Sequence, residues 1–318
     1  MIWQHLSTIA SLAAPIGLPV ERLEGRLHES NMPIALTLAG AAATADFIAG
    51  ALMTVERRIP VGRLPTPFAL RSGVFDRLCA DSDLVGLEVP PCWRSFLPAN
   101  TLLRMPAWVS QEILAGDDSP LVVPTALRKE VMRHCRREGY EVDFSTDIDD
   151  FRRFYAELYR PYVTARFRAG AVLVDERRFL AVSRGMTLAI LVIDHEWIAG
   201  MLFRLGKRLD LGWFGASSMP PRAGASEVLD TRVIEHAAAH GVRRVVMGHS
   251  RPSLADGVVR YKARFGAIVR PTRFPQQTIG IRMQRPSPAL TAAVNAAKFV
   301  IFRNGIPDIY QAPLSVPL

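Results

Sequence analysis

Trp197-Ile198-Ala199-Gly200-Met201-Leu202-Phe203-Arg204-Leu205, then Gly206-Lys207-Arg208, then Leu209-Asp210-Leu211-Gly212-Trp213-Phe214-Gly215, is the stretch whose reading decides the fold. Two runs rich in apolar and aromatic residues flank three turn-forming residues, the pattern of strand, tight turn, strand. The pattern recurs at an offset of 150 residues as Phe47-Ile48-Ala49-Gly50-Ala51-Leu52-Met53-Thr54-Val55, Glu56-Arg57-Arg58 and Ile59-Pro60-Val61-Gly62. Ile48, Ala49, Gly50, Leu52, Arg58 and Gly62 reappear without a gap as Ile198, Ala199, Gly200, Leu202, Arg208 and Gly212. A single offset of that size predicts two copies of a domain-sized unit, each with this hairpin in its sheet.

Around the second hairpin the pattern is strong. Residues 187–193 are a continuous apolar run, as in a strand buried on both faces, and Asp194-His195-Glu196 is a turn. Ser226 can cap a helix reaching residue 240, with Leu229, Val233 and Ala237 inward and Gly241 as its stop. A strand at 243–248, a short helix at 256–265 and strands at 267–273 and 278–282 follow. Upstream, Thr125 opens a helix to residue 137 that ends at Gly139; Leu127, Val131 and Cys135 share one face, and Lys129, Arg133, Arg136 and Arg137 lie opposite. Asp147 caps the next helix, with Phe151, Phe154, Tyr155 and Leu158 at helical spacing. The first half is less patterned: residues 1–30 are mixed, 34–38 and 84–89 read as strands, and 91–120 as a loop-rich bridge. Residues 289–302 read as a helix before a Pro-rich tail.

The expected class is α/β (α+β): two tandem domains, each a mixed, mainly antiparallel sheet flanked by helices. The expected division is 1–124, a degenerate copy; 125–285, the copy carrying the site; and 286–318, a C-terminal helix and tail.

The chain has 318 residues, 49% of them hydrophobic, enough for two cores. Its formal net charge of +9, dominated by arginine, suits an anionic partner. Cys79, Cys92 and Cys135 have neither metal-ligand spacing nor a disulfide framework, so metal-independent chemistry in a reducing cytoplasm is expected. No basic segment precedes an apolar run at the N-terminus. Residues 32–53 are apolar, yet Asp46, Pro33, Gly40 and Gly50 argue against a transmembrane segment.

Three stretches carry a family resemblance. They are the basic helix from Arg128-Lys129-Glu130 to Gly139-Tyr140-Glu141-Val142, the helix Asp150-Phe151-Arg152-Arg153-Phe154-Tyr155-Ala156-Glu157-Leu158-Tyr159, and Met247-Gly248-His249-Ser250-Arg251-Pro252 followed by Gly257-Val258-Val259-Arg260-Tyr261-Lys262-Ala263-Arg264-Phe265-Gly266. With the order β-β-β-α-β-α-β-β, they resemble the GNAT fold of acyltransferases. The closer resemblance is to its tandem branch, the Fem aminoacyl ligases and the cellulose-biosynthesis (BioF2-like) acetyltransferase-like proteins. It covers about 125–283 and reaches the first half only through the hairpin echo. The resemblance implies a transferase moving an acyl or aminoacyl group onto an amine acceptor to form an amide. Its donor is acyl-CoA, an acyl-carrier protein or an aminoacyl-tRNA, with no tightly bound cofactor. A thioester donor is expected first. A tRNA donor, held on the basic helix 128–137, is the alternative, and a non-catalytic RNA- or membrane-binding protein is the rival of another class. Pro221-Arg222-Ala223-Gly224-Ala225-Ser226 departs from the usual pyrophosphate loop of this fold, and no coiled-coil arm is visible.

Acyl transfer to an amine needs a held carbonyl, an unprotonated amine and a stabilised oxyanion. Lys262 is the expected electrostatic group, a role the resemblance also implies, with Tyr261 beside it. His249, at a strand end, is the expected proton acceptor. Ser250 and Arg251 are expected to bind a carboxylate or phosphate. Asp210, an acid in an apolar strand, and Trp213 would face the substrate, with Tyr159 and Arg166 lining the acceptor side. Arg222, Gly224, Ala225 and Ser226 would offer a helix N-terminus to the donor's phosphates.

Overall fold

The computed structural model describes residues 17–70, 73–97, 103–116, 119–167, 173–218, 220–272 and 276–312. Along the chain come β1 (Leu18–Leu27), β2 (Pro33–Ala39), α1 (Ala42–Leu52), β3 (Met53–Leu64), α2 (Val74–Leu78), β4 (Leu84–Val89), β5 (Leu103–Pro106) and β6 (Val109–Leu114). Then follow α3 (Thr125–Glu138), β7 (Glu141–Ser145), α4 (Ile148–Arg153), a π-helical segment (Phe154–Tyr159), α5 (Arg160–Phe167) and α6 (Glu176–Ser183). The chain continues through β8 (Thr187–Ile193), β9 (Glu196–Leu205), β10 (Leu209–Ala216), α7 (Ala225–Ala239), β11 (Arg244–Ser250) and α8 (Gly257–Ala263). It ends with β12 (Ile268–Arg270), β13 (Thr278–Met283), α9 (Pro288–Ala296), β14 (Val300–Arg303) and β15 (Ile306–Ile309).

Two compact units result: Met1–Ser110 with His249–Arg260 and Val269–Leu318, and Gln111–Gly248 with Tyr261–Ile268. This division differs from the expected boundaries at 124 and 285. The cause is strand pairing. β13, expected in the second domain, lies in the first sheet between β4 and β5, where Thr278–Met283 pairs antiparallel with both neighbours. The expected tail, 286–318, contributes α9 and the β14–β15 hairpin to the first unit in place of one long helix. Leu290, Ala293, Val294 and Phe299 join Leu23, Leu36, Ile48, Leu52 and Ile279 in one core. On the opposite face Leu70, Phe75 and Cys79 pack with Val20, Val85 and Leu87, so the central strands β2 and β4 are buried on both sides.

The expected class is present: both sheets are mixed, mainly antiparallel and flanked by helices. The first sheet runs β3-β1-β2-β4-β13-β5, the second β12-β6-β11-β10-β9-β8-β7. They share a succession. In the first, antiparallel β1–β2 is followed by parallel β4, then β13 and the edge strand β5. In the second, antiparallel β9–β10 is followed by parallel β11, then β6 and the edge strand β12.

The hairpin at 196–216 is real; Asp194 and His195 adopt left-handed φ in the turn before it. The echo at 47–62 is not a hairpin. Residues 42–52 form α1, and 53–64 form the single strand β3, paired along β1. Thr44, Ala45, Ile48, Ala49 and Leu52 are buried at helical spacing, so the Ala-rich stretch buries one stripe rather than alternating faces. The partner the echo assigned to 59–62 is supplied instead by β1, within the stretch 1–30 that shows little pattern.

Candidate functional site

The second unit centres on a parallel strand pair that comes apart. β10 and β11 are in register at Leu209↔Val245 and Asp210↔Val246. β10 then runs on to Ala216 against β9, with a register shift between Leu211 and Phe214. It is drawn toward the π-helical segment: a Cβ added at Gly215 would lie 2.6 Å from the Tyr159 nitrogen and 2.7 Å from the Leu158 carbonyl carbon. β11 carries its own irregularity, Gly248, at φ +77° in the left-handed region that a side chain disfavours. Beyond the two-residue ladder each strand thus carries one irregularity.

An aromatic cluster backs this opening. Trp213 lies 4.9 Å from Phe179 and 6.2 Å from Tyr159 between ring centroids, and Tyr159 and Phe179 stack at 5.6 Å. Burial pushes the Tyr159 phenol up to about 12, so it stays protonated near neutrality. Trp213 and Tyr159 are thus core residues of the wall. Phe214 meets Tyr162 edge-on at 5.3 Å, and the Arg166 guanidinium donates to the Tyr162 hydroxyl. Asp210 accepts from Arg208 Nε at 3.0 Å, so its charge already has an answer two residues away.

Lys262 is 8% exposed although it sits on a short helix where a surface position would be usual. Beside it, Tyr261 donates from its hydroxyl to Asp230 Oδ2 at 2.5 Å. Asp230 is buried within α7, and Oδ1 has no hydrogen-bond partner among the described residues. Burial raises its carboxyl to about 7, against the opposing hydrogen bond from Tyr261 and the positive charge of Lys262. Tyr261 is raised in turn, by burial first and by the Asp230 charge second. Sequence reasoning missed Asp230. The available signal was an acid wedged between Leu229 and Thr231 on a helix whose Val228, Leu229, Val233 and Ile234 are all buried.

In the loop that carries Arg222, Gly224, Ala225 and Ser226 into α7, the cap is Gly224 in the left-handed region, not Ser226. No side chain caps the helix. Ala225 N–H donates to Arg222 O at 3.0 Å, and the Tyr140 hydroxyl donates to Ala223 O at 3.1 Å. The ring of His134, from α3, lies against Gly224: a Cβ there would stand 2.4 Å from its Cγ. Arg264 holds α7 and α3 through Glu227 at 3.1 Å and Glu130 at 2.8 Å.

His249, Ser250 and Arg251 belong to the first unit, whereas Tyr261 and Lys262 belong to the second. His249 and Ser250 lie within β11 rather than in a loop beyond it, and Ser250 is buried. Arg251 donates to Ala43 O at 2.8 Å and to Thr44 Oγ1 and Ala107 O at 3.4 Å, with its guanidinium 4.1 Å from the Trp108 ring centroid. These contacts hold the first turn of α1 rather than leaving an open fork for a carboxylate or phosphate. Glu88, on β4, completes that arrangement: Oε2 accepts from Ala41 N–H at 2.9 Å, capping a helix with no cap of its own. Burial raises the Glu88 carboxyl, opposed by the Ala41 and Thr44 hydrogen bonds and the Arg251 charge.

No family model matches this chain. No curated protein matches it by sequence. Among solved structures it is similar to FemX, at 10% identity and a TM-score of 0.40, covering 87% of this chain and 90% of that one. It is similar to L-PGS from Bacillus licheniformis at 12% identity and 0.40, covering 86% and 88%, and to a GCN5-related N-acetyltransferase from Sphaerobacter thermophilus at 13% and 0.38, covering 80% and 74%.

Proposed function

We propose that this chain is an N-acyltransferase of the GNAT type, moving an acyl group from a thioester to an amine. The observation that carries the reading is the opened pair β10–β11 at the end of a two-residue parallel ladder, followed by a helix with no side-chain cap. An extended donor arm fits between such strands, and strand backbone there can hydrogen-bond its amides and the developing oxyanion. The first-turn N–H groups of α7 beyond Ala225, with Arg222, Gly224 and Ser226 around them, receive the donor's phosphate.

In the reaction the amine nitrogen attacks the thioester carbonyl carbon. The C–N bond forms, the C–S bond breaks, and the proton lost by nitrogen ends on the departing sulfur. Lys262 is assigned to the negative charge that develops on oxygen, and the Asp230–Tyr261 pair to positioning Lys262.

The test is a donor screen. The purified chain is incubated with acyl-CoAs, acyl-loaded carrier proteins and charged tRNAs, against amino acids, amino sugars and polyamines, and followed by mass spectrometry. Thioester loss with a matching amide is expected. A folded chain that turns over no donor sinks the proposal, and turnover of charged tRNA alone replaces it with aminoacyl transfer.

A further inference from the structure

Resting on the transferase reading, we infer that the exposed face of α3 is the docking site for an acidic carrier protein that presents the acyl thioester. Arg128, Lys129, Met132, Arg133 and Arg136 are all exposed and, with Thr125 and Ala126, line a shallow open concavity of about 610 Å³. Arg128 pairs with Glu235 at 3.3 Å. Among the described residues, Lys129, Arg133 and Arg136 have no ion pair. Three unneutralised cations on neighbouring turns repel one another, and an acidic partner relieves that.

The shape of the patch selects the kind of partner. From Thr125 to Arg136 it spans about 16 Å at 1.5 Å per residue, the footprint of one short helix rather than a long phosphate track. Its centre is Met132, 38% exposed, ringed by charge. An apolar centre with a charged rim is the anatomy of a protein–protein contact, in which Met and Arg are enriched. The lining has no Phe, Tyr or Trp on which a nucleic-acid base would stack.

The placement of α3 joins this face to the proposed donor entrance. His134, on the same helix, touches Gly224 at the start of α7, and Glu130 and Glu227 share Arg264. A carrier lying along α3 has its prosthetic arm beside the loop that leads to the opened strands. The first turn of α7 itself carries Glu227 and has the His134 ring at its cap, which disfavours the clustered phosphates of free CoA relative to a single phosphodiester.

The experiment uses the full chain, a hexadecanoyl-loaded type II acyl-carrier protein and hexadecanoyl-CoA. The variants are K129E/R133E/R136E and the neutral K129Q/R133Q/R136Q, with thermal melts confirming that both fold. Binding of fluorescently labelled carrier is measured by anisotropy over a salt series, and thioester loss is measured separately. The expected result is salt-sensitive binding weakened about tenfold or more by the Glu variant and less by the Gln variant, as steered association of charged partners requires. The KM for loaded carrier rises in step, and kcat/KM for hexadecanoyl-CoA stays within about twofold. Carrier binding unaffected by both variants overturns the inference. So does labelled tRNA binding through the same three residues while carrier does not. Binding lost in the variants without any turnover supports the docking face and sinks the transferase reading, so the two fail separately.

Discussion

The parallel pairs β2–β4 and β10–β11 occupy the same place in the strand succession, and they are built differently. β2–β4 is laddered from Leu36↔Leu84 to Ala39↔Leu87, whereas β10–β11 is laddered at Leu209↔Val245 and Asp210↔Val246. The helix after β2 has its N-terminus filled by the Glu88 carboxylate, with Arg251 on its first turn. The helix after β10 has no side-chain cap. The Glu88 carboxyl thus takes the place at the start of α1 that an anion would otherwise occupy. The first unit's central pair is laddered over four residue pairs beside a helix capped by Glu88, and the second unit's over two beside a helix without a side-chain cap.

The largest expected effect separates the two pairs by activity. Lys262→Ala lowers turnover about 10²–10³-fold, the range for losing a group that stabilises transition-state charge. Glu88→Gln leaves turnover within about twofold and costs on the order of 1 kcal/mol of stability through a weaker helix cap. Steady-state kinetics on both variants decides it; equal losses would make the closed pair chemical as well.

Next is the close approach of β10 to the π-helical segment. Gly215→Ala forces a methyl into backbone at 2.6–2.7 Å, where no side chain can move aside. The expected cost is about 3 kcal/mol, read as a Tm lower by roughly 6 °C or more. An unchanged melt would mean that the π-helical segment does not hold β10.

The third concerns pH. Asp230 is raised from 3.8 to about 7 in the folded protein, so between those values the folded state holds a proton that the unfolded state has lost. Stability therefore falls, by up to a few kcal/mol, as pH rises from about 4 to about 7, and is flat above. Asp230→Asn removes that slope. Urea midpoints at pH 4.5, 6 and 7.5 check it, and a slope that survives the substitution would refute the assignment.

The smallest is Gly248→Ala. The space around it is open, so only the left-handed backbone is penalised, at about 1–2 kcal/mol. If the break in β11 matters for donor entry, KM for the thioester rises more than kcat falls.

Much of the second unit was legible locally. β8 at 187–193 and the flanks of the hairpin declared themselves by continuous apolar character, and the helix at 125–138 by its two faces and Gly139. Lys262 and Tyr261 stood out by spacing. Their partner Asp230 did not, because a buried acid is made by the helix that packs over it thirty or so positions later. The echo at 47–62 misled for the same reason. Its letters match 197–212, but α1 lies over Leu36 and Leu38, so a helical stripe is buried there instead of alternate residues. Residues 1–30 hid β1, whose pairing with both β2 and β3 came from neighbours and not from its own pattern.

By itself, the sequence determined the local elements with strong periodicity, two apolar cores' worth of chain, the arginine-rich charge and the Tyr-Lys helix, since these depend on nearest neighbours along the chain. Only the tertiary structure decided that β13 crosses into the first sheet, that β6 enters the second, and that β10 and β11 part after two residues. The pairing of β13 joins segments more than a hundred residues apart, and no local pattern encodes which distant surface a strand will meet.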